Sequence, residues 1–188
     1  MKPSKAEPIR DYILKDEETF GIAAKIADAW PDVQEKVTTG FLNRLGSRLS
    51  KRLKGWRVEP YGGRFFLDAF PGFYVWKPKW KYHAIGIQCE EHGRRMIIGV
   101  SNYTDINRKL PKHQEVLAAV QKIQPTAKPN AYWEARIGMQ SPESDWSTPA
   151  ALWRMNTDPT FLNAVADQIL EIAEVSEASI DRVYRGKR

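Results

Sequence analysis

The chain reads as an α+β protein: an antiparallel β-meander of about five to six strands flanked by N-terminal and C-terminal helices. Three observations predict this. Apolar residues recur every fourth position from Val33 to Leu53, the middle of the chain alternates with period two between close-set turns, and helical spacing returns after Asp158. Strands joined by short links pair antiparallel, because a parallel pair needs a long crossover.

Residues 1–17 are polar, carry Pro3 and Pro8, and read as a loose arm with a short helix at Asp11–Leu14. Residues 18–188 read as a single α+β domain. A helix is expected from Glu18 to Ala29, broken by Trp30-Pro31-Asp32, with Pro31 in the first turn of a second helix. That second helix carries Val33, Val37, Phe41, Leu45, Leu49 and Leu53 as one stripe, and Gly55 ends it. Arg44, Arg48, Lys51 and Arg52 fall off the stripe and face solvent.

Strands are expected at Trp56–Pro60, Arg64–Phe70, Phe73–Lys77, Tyr82–Glu90 and Arg94–Asn102. Gly62-Gly63, Pro71-Gly72, Pro78 and His92-Gly93 provide the turns between them. A helix from Lys109 to Lys122 follows, then a loop around Pro125 and Pro129, then one more strand over Tyr132–Met139. Asp158-Pro159 caps and opens a helix with Phe161, Val165, Ile169 and Ile172 facing the core. A separate short helix over Ser176–Tyr184 closes the chain.

Composition narrows the function classes. The 188 residues include 42% apolar and 28% charged side chains, which suits one sizeable core and excludes global disorder. Cys89 is the one cysteine, so neither an internal disulfide nor a cysteine-built metal cluster is available. No apolar run approaches the roughly 18 residues of a membrane helix. Met1-Lys2-Pro3-Ser4-Lys5 lacks the apolar core of a signal peptide, and the expected location is cytoplasmic.

The net charge of +6 is unevenly spread. Lys36, Arg44, Arg48, Lys51, Arg52, Lys54 and Arg57 lie in a stretch without an acid. Asp158, Asp167, Glu171, Glu174, Glu177 and Asp181 lie in one without a base. An electrically two-ended molecule is expected, with the basic end suited to nucleic acid or an acidic protein surface.

Catalytic signatures are missing. There is no Gly-rich phosphate loop, no serine elbow, no paired His-x-x-x-His and no calcium-loop spacing of carboxylates. His83, His92 and His113 stand singly, and each reads as a hydrogen-bonded or solvated side chain rather than a ligand. No catalytic residue, metal site or cofactor is assigned. Cys89, in an alternating strand, reads as a small buried residue. From Phe73 to Tyr82, five rings interleave with Lys77, Lys79 and Lys81. That pattern fits base stacking with phosphate neutralisation, and equally an aromatic strand whose lysines blunt an edge.

From Phe73 onward the order of motifs resembles a known family. Phe73-Tyr74 and Trp80-Lys81 run into His83-Ala84-Ile85-Gly86-Ile87-Gln88-Cys89-Glu90, followed by Ile97-Ile98-Gly99-Val100, Tyr132-Trp133-Glu134, Asp145-Trp146 and the Phe161…Val165…Ile169 helix. Over residues 73–175 this is similar to the C-terminal portion of a bacterial and phage family assigned to the PD-(D/E)XK nuclease superfamily. The resemblance implies a phage or defence context. It carries over no catalytic residue, because that chemistry needs an acid two positions before a lysine, and no lysine here has one. The nearest pattern is Glu134-Ala135-Arg136, and arginine does not give up a proton.

The expected function is a non-catalytic binding protein of a bacterial or phage genome-conflict system. It would engage nucleic acid or a nucleic-acid enzyme through Arg44, Arg48, Lys51, Arg52, Lys54 and Arg57, with Trp76, Lys77, Lys79 and Trp80 adding stacking and charge. One alternative is a protein–protein inhibitor or adaptor of the counter-defence type, since Trp and Arg also dominate protein interfaces. Another is a divergent metal-dependent nuclease built on Asp68, Glu90 and Glu134.

Overall fold

The computed structural model describes residues 7–61, 68, 70–102, 113–139 and 144–185. Two helices, α1 (Glu7–Ile13) and α2 (Glu17–Arg52), precede a five-stranded antiparallel sheet. Its strands are β1 (Arg57–Tyr61), β2 (Gly72–Trp76), β3 (His83–Glu90), β4 (Arg95–Asn102) and β5 (Trp133–Gly138), in the spatial order β1-β2-β3-β4-β5. Helix α3 (Gln114–Gln121) lies between β4 and β5, and α4 (Pro149–Thr157) and α5 (Pro159–Arg185) close the chain. The expected α+β meander flanked by helices is therefore the observed fold. Most of the expected strand Arg64–Phe70 and the first part of the helix expected from Lys109 lie outside the described residues. Within them, Asp68 and Phe70 sit in bends.

Helix α1 starts four residues before the expected Asp11–Leu14, and three further helices differ from expectation. Helix α2 runs unbroken through Pro31. A helix restarting at Pro31 would need Trp30 as its cap, and Trp has no side-chain oxygen to accept the free N–H groups. Asp16 caps the whole helix instead, its Oδ1 accepting from the Thr19 N–H at 2.8 Å. Pro31 costs one backbone hydrogen bond there, in a stretch where water reaches the freed carbonyl. Helix α5 is likewise continuous: Ser176 is helical, buried, and returns its hydroxyl to the Ile172 carbonyl at 2.6 Å. Helix α4 was not expected. Its signal is Thr148-Pro149, an N-cap whose Oγ1 accepts from the Ala151 N–H, followed by proline in the first turn.

The core lies between one face of the sheet and the helices. Phe41, Leu45 and Leu49 of α2 meet Phe73, Val75, Ile85, Ile87, Ile98 and Val100 of the sheet, with Phe161, Val165 and Ile169 of α5 beside them. Phe41, Trp146 and Phe161 pack edge to face around the α2–α5 contact. A smaller cluster of Tyr74, Ile97 and Trp133 lies together, with Trp76 and Ala84 packed against it. Gly86 and Gly99 face each other across β3 and β4, and a Cβ on either would strike a neighbouring strand's carbonyl at 2.1 or 2.0 Å.

Helix α2 has 36 residues and spans about 54 Å. Its first buried residue is Thr38, so the preceding turns stand away from the core. Val33, expected on the core stripe, is 43% exposed for that reason. The stripe continues outward as Ile22, Ile26 and Trp30, and α1 lies against it through Tyr12 and Ile13, enclosing a groove of about 510 Å³.

Candidate functional site

The basic residues assigned from the sequence collect where α2 ends and β1 begins. Lys51, Arg52, Lys54 and Arg57 are exposed, and among the described residues none of them is in an ion pair. The other two are committed inward. The Arg44 guanidinium donates to the Met155 carbonyl of α4. Arg48 is half-buried, and its Nε is shielded from solvent without a partner among the described residues. The collar is thus four free cations, one anchored arginine and one half-buried arginine. Trp76 stands opposite Arg57 across the β1–β2 pair, half-buried against both apolar clusters.

The aromatic–lysine stretch has a different task from the stacking surface considered above. Trp80 is only 3% exposed, and its ring packs edge-on to Trp56 with centroids 4.8 Å apart. A base cannot reach its face. Its indole N–H donates to Asp181 Oδ1 at 2.7 Å, while Lys79 and Lys77 donate to Oδ2 at 2.8 and 3.1 Å. Lys77 also pairs with Glu177, and its ammonium lies 5.7 and 5.8 Å from the Trp56 and Trp80 ring centres. Burial pushes the Asp181 carboxyl up, but the hydrogen bonds from Lys79, Trp80 and Lys77 outweigh it and hold the carboxyl below its usual range. The acidic closing helix thus neutralises Lys77 and Lys79 within the molecule, and leaves the basic stretch of α2 and β1 unpaired among the described residues.

A second constellation, absent from the sequence reading, lies under the sheet at the start of β5. Between Ala135, opposite Val100, and Trp133, opposite Ser101, the chain inserts Glu134 as the extra residue of a β-bulge. A bulge re-aims a side chain. Here it turns Glu134 to the helix-covered face, where it is 1% exposed. Glu134 Oε1 lies 3.3 Å from His83 Nε2, 3.0 Å from His113 Nδ1 and 2.6 Å from Asn102 Nδ2. Its Oε2 accepts the His113 backbone N–H at 2.9 Å. Burial pushes the carboxyl up, but the hydrogen bonds from His83 and His113 prevail and hold it at about 2. On its far side, His83 Nδ1 meets the Tyr184 hydroxyl at 2.7 Å, and that oxygen also accepts the Tyr82 N–H. The Asn102 Oδ1 is buried and has no partner among the described residues.

His83 and His113 therefore do not stand singly in space, though each is hydrogen-bonded as expected. Separations of 51 and 21 residues from Glu134 hid the cluster. A signal did exist. Ile85 and Ile87 place His83 inward by period two, as Ile98 and Val100 place Asn102, so two polar residues sit at core-facing positions. The nuclease constellation of Asp68, Glu90 and Glu134 does not assemble. Glu90 ends β3 paired with Arg136 at 3.0 Å and Arg95 at 3.5 Å. His83, which touches Glu134, begins that strand about 23 Å away at the usual rise per residue. Asp68 sits in an exposed bend. No family model, no curated protein and no solved structure matches this chain.

Proposed function

We propose that this chain is a non-catalytic binding protein that engages nucleic acid, or an enzyme acting on it, through the collar of Lys51, Arg52, Lys54 and Arg57. The resemblance noted above supplies the context, a bacterial or phage genome-conflict system. The observation that carries the reading is four exposed cations at one helix end and edge strand, unneutralised among the described residues, whereas Lys77 and Lys79 are paired with Asp181. Each phosphate contact releases condensed counterions, so binding falls steeply with salt. Replacing Lys51, Arg52 and Arg57 with Glu abolishes binding to duplex and single-stranded probes and flattens the salt slope by about three contacts. Arg44 and Arg48 are left in place because Arg44 bonds to α4 and Arg48 is half-buried. A folded triple variant that binds as the parent does removes the reading.

A second reading, the adaptor or inhibitor, has its own observation. The projecting part of α2 exposes Ile22, Ile26, Trp30 and Val33 along one side. Glu18, one turn before Ile22, lies beside that stripe, whereas Glu17, Asp28 and Glu35 fall on the opposite side of the helix. A helix of another protein with one apolar face complements this stripe. Binding of such a partner survives the collar substitutions and nuclease treatment, and is lost on Ile26→Asp.

A further inference from the structure

We propose that His83, His113 and Glu134 form a binding site for one divalent transition-metal ion of the zinc class. This goes beyond the collar and does not depend on it. The donor set is two imidazoles and a carboxylate, which selects zinc, cobalt, nickel or iron(II) over calcium or magnesium, whose sites are built from oxygen.

Spacing supports it. Each of the three residues offers one ligand atom, and these atoms all lie within 4.8 Å of one another. The two nitrogens stand 3.3 and 3.0 Å from the same carboxylate oxygen. An ion bonded to nitrogen and oxygen at about 2.0–2.1 Å holds tetrahedral neighbours about 3.3–3.4 Å apart. Both nitrogen–oxygen separations are therefore already close to those of an ion's ligands.

The surroundings match what such a site requires. A ligating histidine donates its other ring nitrogen to a fixed acceptor, and His83 Nδ1 has the Tyr184 oxygen at 2.7 Å. The carboxylate is oriented from behind, by Asn102 Nδ2 on one oxygen and the His113 N–H on the other. An independent observation points to a ligand at the same place. Asn102 Oδ1 belongs to the amide that holds Glu134, is sealed from solvent and lacks a donor among the described residues. Such an orphaned acceptor is costly. A water completing the ion's coordination is the donor it lacks. Access exists on the His113 side, where the side chain is 20% exposed while those of His83 and Glu134 are 1% exposed. The ion joins β3 and β5 to the residue that precedes α3, so binding stiffens that junction.

The experiment uses the full chain, stripped with chelator and titrated with Zn²⁺ by calorimetry, with melting followed in parallel. One equivalent binds, and at about a hundredfold excess over Kd the melting temperature rises by about 5–10 °C. His113→Ala loses both effects, whereas His92→Ala, altering an exposed turn, retains them. Co²⁺ serves as the second probe on the unaltered chain, because it gives intense visible bands in a tetrahedral nitrogen–oxygen site and weak ones when it stays hydrated. Hydrated-type bands, no thermal shift, or binding undiminished in a folded His113→Ala chain would each overturn the proposal. If His113→Ala does not fold, the Co²⁺ spectrum decides alone.

Discussion

Asp181→Ala tests how far the closing helix is held by one carboxylate. The residue is 8% exposed and receives three donors from the segment between β2 and β3. Truncation strands the buried Trp80 indole N–H, at about 1–3 kcal/mol. Lys79 is 55% exposed, so its lost pair adds at most about 1 kcal/mol. Lys77 is 17% exposed but retains Glu177, which limits its share to a similar amount. The expected loss is about 3 kcal/mol, or about 6–12 °C in melting temperature for a chain of this length. Urea unfolding followed by tryptophan fluorescence measures it. Because the folded carboxyl is held below its unfolded range, its contribution is present above the unfolded pKa and fades as pH falls through the folded one. The variant's acid limb should accordingly be flatter. Trp80→Phe in the Asp181→Ala background removes the stranded donor and should cost less than it does alone. A variant within about 0.5 kcal/mol of the parent, or strict additivity in that cycle, would refute the clamp.

Leu45 is fully buried between α2 and the sheet, so Leu45→Ala should lower unfolding stability by about 2–5 kcal/mol in the same urea assay. Cys89 is buried, and burial foremost pushes its thiol up to about 11. Alkylation at pH 8 should therefore be slow in the folded chain and fast in denaturant, with equal rates counting against the assigned burial. The purified protein with Mg²⁺ or Mn²⁺ should leave single- and double-stranded DNA and RNA uncut, since Glu90 and Glu134 lie at opposite ends of the sheet. Cleavage lost on Glu90→Ala would restore a nuclease reading.

Much of this architecture was legible in the linear pattern because its causes are local. Period-two alternation, Pro71-Gly72 and His92-Gly93 give the meander, and Phe41, Leu45 and Leu49 give the buried face of α2. The collar is equally local, since Lys51, Arg52, Lys54 and Arg57 are neighbours in the chain. What the tertiary structure alone decided involves partners far apart in sequence. Lys77, Lys79 and Trp80 read as a binding surface until α5 brought Asp181 against them from about a hundred residues away. The unbroken course of α2 through Pro31 rested on a cap fifteen positions upstream, at Asp16. His83 and His113 looked solitary because periodicity gives the face on which a residue lies but not which residue of another element comes to it. A single bulge, one extra residue in β5, turned Glu134 inward and made a cluster of them. Alternation along one strand carries no trace of such a bulge, since register arises only when two strands pair.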